Sequence, residues 1–146
     1  MHSLFLQTDF SPIHVSYDLV WNTPRFLAGA FMAILFLQSG LDKVFNYQSN
    51  MDYFKDHFKN SPLSSSVGLM TPMITVLEVL AGACCAIGLV SSYVTPIPFA
   101  FWGMALAGLD LLFLFFGQRM AKDYAGAAAL VPYFLVALIG LFLASR

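Results

Sequence analysis

Four ionisable side chains lie within, or at the ends of, long apolar runs of this sequence. They are Asp42, Lys43, Glu78 and Asp110. On insertion scales, a charged side chain at the centre of a membrane helix costs about 2.5–3.5 kcal/mol unless it is paired or hydrated. These residues are therefore candidates for a site that holds a polar headgroup or a proton, or for an ion pair that fastens helices together.

The sequence predicts that these charges gather in one half of a helical bundle. At a rise of 1.5 Å per residue, Glu78 and Asp110 each lie roughly 10 Å from the same face of the bundle, because consecutive helices run in opposite directions. Lys43 enters from that face, and Tyr124 begins the last apolar run at the same level. We therefore predict a polar bundle site for a quinone or a proton, formed by Lys43, Glu78, Asp110, Asp42 and Tyr124.

The charge count bears on the protonation of this site. The acids Asp42, Glu78 and Asp110 face two bases, Lys43 and Arg119, which leaves one negative charge in excess. An ionised carboxylate without a partner is costly in an apolar phase, so one acid is expected to carry a proton. The alternative, in which Lys43 pairs with Glu78 or Asp110 only to fasten the bundle, stays open at this stage.

The elements that position these side chains are membrane-spanning helices. Of the 146 residues, 59% are hydrophobic and 10% are charged, whereas soluble domains carry roughly 25% charged residues. The mean hydropathy is +0.75, and four apolar runs approach the length of about 20 residues that crosses a bilayer. We predict an all-α bundle of four transmembrane helices, as one domain over residues 24–146, with spans at 24–45, 72–90, 96–117 and 124–144.

Local signals predict where these helices begin. Three runs start with a Thr-Pro pair, at Thr23-Pro24, Thr71-Pro72 and Thr95-Pro96. Threonine can cap free N–H groups, and proline suits the first helical position. Pro132 lies inside the fourth run and predicts a kink there.

Two segments lie outside the spans. Residues 1–23 form an N-terminal arm that has no features of a cleaved signal and that fits either a strand or a short helix. Between the first two spans, Tyr47, Met51, Phe54 and Phe58 recur at helical spacing. This pattern predicts an amphipathic helix in the membrane interface, with its aromatic rings at headgroup depth.

The basic residues predict an orientation. The loop side carries five of them and the side of the termini carries two, namely Lys43, Lys55, Lys59, Arg119 and Lys122 against Arg25 and Arg146. The positive-inside rule then places the loops in the cytoplasm and both termini on the other side of the membrane.

Several other function classes find no support in the sequence. The formal net charge of −1 gives no basic surface for nucleic acid. We find no glycine-rich phosphate loop, no paired histidines for haem and no Cys/His zinc pattern, so no metal site is predicted. The adjacent Cys84 and Cys85 point about 100° apart on a helix and are interpreted as small apolar side chains.

Two short motifs accompany the charged residues. In the first span Arg25, Gly29 and Phe36 precede Ser39-Gly40-Leu41-Asp42-Lys43, and in the second span Leu77-Glu78-Val79-Leu80-Ala81-Gly82 precedes Gly88-Leu89. This pattern resembles the DoxX family of small bacterial four-helix membrane proteins. The resemblance extends from about Arg25 to Arg146 and is most specific in the first two spans, and Asp110 has no counterpart in it.

The resemblance implies a multi-pass protein of the bacterial cytoplasmic (inner) membrane that is linked to quinone-dependent redox enzymes. The first of three functional hypotheses is an accessory or quinone-facing subunit of a larger redox complex, in which a partner subunit holds the cofactor. The second is an oxidoreductase subunit with its own quinone site at Lys43, Glu78 and Tyr124. The third is a small proton-coupled carrier, which four spans without a repeat disfavour. No catalytic motif decides whether the chain is itself an enzyme.

Overall fold

The computed structural model describes residues 17–91 and 98–145, and all regular elements within these two ranges are helical. A 3-10 turn at Ser64–Ser66 accompanies five α-helices, which are α1 (Tyr17–Phe45), α2 (Tyr47–His57), α3 (Val67–Ser91), α4 (Phe99–Met120) and α5 (Tyr124–Ala144). Four of these helices, α1, α3, α4 and α5, are long and apolar enough to cross a membrane. The predicted all-α bundle of four spans is confirmed.

The outer surface of the bundle is apolar. Large hydrophobic side chains stay exposed along the spans, such as Ile34 on α1, Leu69 on α3 and Ile139 on α5. A protein in water rarely leaves an apolar surface of this extent uncovered. In a bilayer the same surface faces lipid tails, while each helix satisfies its own backbone hydrogen bonds. The arrangement fits a multi-pass membrane protein.

Close helix contacts hold the four spans together. Helix α3 packs between α1 and α4, α4 also packs on α5, and α5 touches α1. Gly103 on α4 lies so near α3 that an added Cβ atom would be 2.6 Å from the backbone nitrogen of Cys85. Such small residues matter because apolar helices in lipid gain their association from close packing. The buried core consists of Met32, Ala33, Phe36, Ala81, Cys85, Met104, Ala107, Leu111 and Ala137.

Two of the predicted helix starts are wrong. Pro24 lies inside α1 and Pro72 lies inside α3. Thr71 does not cap α3, because its hydroxyl donates a hydrogen bond to the backbone carbonyl of Val67 at 2.9 Å. In an apolar phase each backbone group needs a partner within the protein, so these helices extend past signals that would start a helix in water.

The other boundaries agree more closely. The fourth span is confirmed as Tyr124–Ala144 with Pro132 inside it, and the third is observed at Phe99–Met120. The predicted start at Thr95-Pro96 lies outside the described residues. Of the predicted N-terminal arm, residues 1–16 are outside the described ranges, and residues 17–23 belong to α1.

A tight turn joins α4 to α5. Lys122 adopts a left-handed conformation with φ 63°. The N–H of Asp123 donates to the carbonyl of Gln118 at 2.9 Å, and the N–H of Lys122 donates to that of Arg119 at 3.2 Å, which is the Schellman pattern of a helix end. The Asp123 carboxylate also accepts a hydrogen bond from the N–H of Gly126 at 2.8 Å, so one residue ends α4 and caps α5.

Helix α2 lies across one end of the bundle. Its extent agrees with the predicted amphipathic helix, and part of its apolar face packs on the bundle. Met51 is buried, and the Phe58 ring lies against Gly117 of α4. His57 Nε2 is 2.9 Å from the side-chain oxygen of Gln118. Tyr47 on the same face is 42% exposed, so part of this face remains available to the membrane interface.

Two glycine substitutions test the role of close packing. Gly103→Ala should lower the free energy of unfolding by about 1–3 kcal/mol, because the added methyl group must displace the backbone of α3. Gly68→Ala is the matched control, since nothing lies within 4 Å of a Cβ atom at that position. It should be neutral or stabilise by up to about 1 kcal/mol, because alanine favours helix over glycine. Equal denaturation midpoints for the two variants in detergent would contradict this packing.

Candidate functional site

A lysine and a glutamate form a buried ion pair between α1 and α3. The Nζ atom of Lys43 lies 2.9 Å from Oε1 of Glu78 and 2.9 Å from its Oε2. The hydroxyl of Ser39 accepts a hydrogen bond from Nζ at 2.8 Å and donates one to Oε1 at 2.9 Å. Lys43 is 8% exposed and Glu78 is 1% exposed. The predicted pairing of Lys43 with an acid is confirmed, with Glu78 as the partner.

The local sequence explains why these side chains meet. Ser39 and Lys43 are four residues apart on α1, which places both on the face toward α3. Gly40 lies between them and permits the contact, because an added Cβ atom there would be 2.7 Å from a methyl carbon of Val79 and 3.3 Å from Cβ of Glu78. Any larger residue at position 40 would hold α1 away from the carboxylate.

Asp110 brings a third ionisable group to this region from α4. Its exposure is 0%, and neither of its carboxylate oxygens has a hydrogen-bond partner among the described residues. The charged groups that act on it are Glu78 and Lys43. We call Lys43, Glu78 and Asp110 the acid–base cluster. With all three ionised it carries one excess negative charge, and because Lys43 already neutralises Glu78, we expect the proton on Asp110.

Two predicted site residues do not join the cluster. Asp42 is exposed and accepts hydrogen bonds from Asn46 at 2.7 Å and Asn50 at 3.2 Å. Adjacent residues of an α-helix point about 100° apart, so the side chain of Asp42 points outward while that of the neighbouring lysine is buried. Tyr124 is 57% exposed, and the Arg119 guanidinium carbon lies 4.7 Å from the centre of its ring. Both residues lie at the depth of the cluster, but their side chains point away from it.

A small cavity adjoins Lys43. We call it the Lys43 cavity; its volume is about 60 Å³, and its lining includes Lys43, Thr71, Phe54 of α2 and Phe58 directly after α2. Liquid water occupies about 30 Å³ per molecule, whereas a cavity that binds benzene measures about 150 Å³. The space therefore suits water and is too small for a quinone ring.

The predicted site lacked two features that the structure shows. The spacing of four residues between Ser39 and Lys43 predicts a shared polar edge on α1, and the structure adds the hydrogen bond from Ser39 to Glu78. The Lys43 cavity could not be read from the sequence, because it exists only where α2 lies over α3 and α4. No cluster of three or more potential metal ligands occurs within residues 17–91 and 98–145.

A second lysine–acid pair, at the C-terminal end of α2, lies in the opposite environment. Lys59 Nζ lies 2.8 Å from the Asp56 carboxylate, and both side chains are well exposed. The hydrogen bond from Lys59, aided by its charge, holds the pKa of Asp56 below its usual value. Because folding lowers the pKa of Asp56, the pair stabilises the fold at pH values above the pKa of this carboxyl in the unfolded chain, and the stabilisation is lost as the pH falls. Solvent screens this exposed pair.

Comparison of the chain with protein-family models, with curated proteins and with solved structures found no match. The resemblance to the DoxX family therefore stays a prediction that depends on the motifs of the first two spans. Three residues of those motifs, Ser39, Lys43 and Glu78, are in direct contact in the structure.

Removal of one partner of the buried pair should be strongly destabilising. Lys43→Met and Glu78→Gln are each expected to lower the free energy of unfolding by about 3–5 kcal/mol, because a buried charge loses its counterion. The double variant should lose less than the sum of the two, since it leaves no isolated charge. Lys59→Met is the control for loss of a lysine at an exposed pair and should change stability little. Parental stability of both single variants in a detergent melt would refute the pair.

Proposed function

We propose that this protein is an integral membrane subunit of a larger redox assembly, and that its acid–base cluster holds a proton for that assembly. The observation that carries the proposal is Asp110, a fully buried acid with no hydrogen-bond partner for either oxygen among the described residues. A fastening role needs only the pair of Lys43 and Glu78. A further acid with no partner adds insertion cost without adding a bond, so it favours a role in proton binding.

The cluster has the chemistry to exchange a proton. Lys43 stabilises the Glu78 carboxylate through two contacts of 2.9 Å, so that acid can remain ionised. A neutral Asp110 can then donate its proton, and the negative charge that results lies near Lys43. The Lys43 cavity is large enough for about two water molecules, which would connect the lysine with the region under α2.

The redox part of the proposal is supported by the resemblance to the DoxX family. On that basis the chain lies in the bacterial inner membrane, and its partners are lipid and other subunits of a membrane complex. The distribution of basic residues favours both termini on the periplasmic side. A cofactor would be held by a partner subunit, with quinone as the expected electron carrier. In this arrangement the chain supplies a fixed polar centre within the bilayer.

A quinone site within this chain fits the structure less well. The Lys43 cavity has less than half the volume that holds a benzene ring, and Tyr124 lies outside the cluster. We therefore assign no quinone chemistry to Lys43 or Glu78. A proton-coupled carrier would use the same acids, but no described feature favours it over the subunit.

Infrared spectroscopy tests the protonated acid. The parent protein at neutral pH should show the carbonyl band of a protonated carboxylic acid, because an ionised Asp110 would be an uncompensated buried charge. The band should be absent from Asp110→Asn. Asp52→Asn is the control, since it removes an exposed acid on α2. Absence of the band from the parent across the neutral range would remove the proton-binding role.

Electron transfer in membranes tests the redox assembly. In membranes of the native host that lack the chain, quinone-linked activity should be restored by the parent and by Asp52→Asn. Asp110→Asn should restore it about a hundredfold less well, the lower end of the effect of losing a proton-transfer group. Full restoration by Asp110→Asn at equal abundance, or no loss of activity without the chain, would contradict the proposal.

A further inference from the structure

We propose that the bundle binds one phospholipid at the end opposite the acid–base cluster, with the lipid phosphate at Arg25 and one acyl chain between the helices. This inference is independent of the proposed function, because it concerns the other end of the molecule and a different ligand. It rests on a cavity, on the position of one arginine and on the charge of that residue.

The cavity, which we call the Arg25 cavity, has a volume of about 570 Å³. This lies within the range of about 300–1,000 Å³ that is typical of small-molecule sites. Its lining comes from all four spans and divides by polarity. Polar side chains are Asn22, Thr23 and Arg25 near the start of α1, and apolar ones include Leu27, Leu89 and Met104. A site with a polar mouth and an apolar interior suits an amphiphile.

Arg25 lies at the depth of lipid headgroups. It precedes Lys43 by 18 residues on the same helix, which corresponds to about 27 Å at 1.5 Å per residue. The hydrocarbon layer of a bilayer is about 30 Å thick. Since Lys43 lies near one surface of that layer, Arg25 lies near the other, where phosphate groups are found.

The charge of Arg25 selects the headgroup. The side chain is half-buried, and none of the ion pairs found in residues 17–91 and 98–145 involves it. A guanidinium group matches a phosphate with two parallel hydrogen bonds, and it does so better than an ammonium group. An uncharged apolar molecule in the cavity would leave this cation without a counterion.

The membrane setting explains why a headgroup is needed. Lipid tails are as apolar as the walls of the cavity, so burial of a chain gives little affinity over the surrounding bilayer. Selection must come from the contact between phosphate and Arg25, while the chain gains a defined position against Leu89 and Met104. Lipids with a net negative headgroup should be preferred, because the positive charge of a zwitterionic headgroup competes with Arg25 for the phosphate.

Native mass spectrometry of the full chain in mild detergent tests the headgroup contact. The parent should retain one phosphatidylglycerol per chain in preference to phosphatidylcholine. Arg25→Gln should reduce this retention about tenfold, the effect expected for loss of a hydrogen bond to a charged group. Arg25→Lys keeps the charge and should fall between the two. Arg119→Gln, a cation at the opposite end, is the control and should bind as the parent does.

A second measurement tests the position of the acyl chain. A phosphatidylglycerol with a photoreactive group on its chain should crosslink to the peptides that contain Leu89 and Met104, and Ala144→Phe, which narrows the cavity, should abolish these crosslinks. An excess of inorganic phosphate should not displace the lipid, whereas displacement would reveal a simple anion site and overturn the proposal. Parental retention by Arg25→Gln, or crosslinks confined to outward residues such as Ile34, would overturn it as well.

Discussion

The contact between the Lys43 ammonium and the Glu78 carboxylate is the constraint that sets how α1 meets α3. Both groups are buried, and each would be costly alone in hydrocarbon. Their attraction is strong there because little solvent screens it. The helices must therefore approach until the atoms lie 2.9 Å apart, which is possible because Gly40 presents no side chain to Val79. The register of these two spans thus follows from this polar contact together with the close packing of α1 on α3.

The two ends of the bundle have opposite characters. One holds the acid–base cluster, in which three helices contribute charge and only a small cavity is open. The other holds the larger Arg25 cavity, whose walls are mostly apolar. Between them lies a core of closely packed residues that includes Met32, Phe36 and Ala107. This core separates the proposed proton site from the proposed lipid site, so substitutions at one end leave the side chains of the other end in place.

The sequence predicts the spans and the buried pair well, because the rules in an apolar phase are few and strict. A run of about 20 apolar residues has no alternative but to cross as a helix, and a buried lysine must find an acid. The depth of a residue along its helix says less about whether it joins a buried site than the direction in which its side chain points around the helix axis. Asp42 and Tyr124 lie at the correct level, but their side chains turn outward. Lys43 and Asp42 are adjacent in sequence and yet have opposite environments, which a count of residues along the axis cannot show.

Helix boundaries and the position of α2 were harder to predict for a different reason. The Thr-Pro signals describe how helices begin in water, where a free N–H group finds solvent, and Pro72 shows that the rule weakens inside a bundle. The amphipathic pattern of α2 predicts an apolar face but not what covers it. In the structure the Phe58 ring lies against Gly117 near the end of α4, while Tyr47 on the same face stays exposed.

The order of the two charges along the chain also matters during synthesis. Lys43 precedes Glu78 by 35 residues, so the base reaches the membrane before its acid does. A lysine at the end of α1 can extend its ammonium group to the lipid surface in the meantime. Glu78 lies in the middle of α3 and has no such exit, but it arrives when its counterion is already in place. A circularly permuted chain that began with α3 would have to insert the acid first.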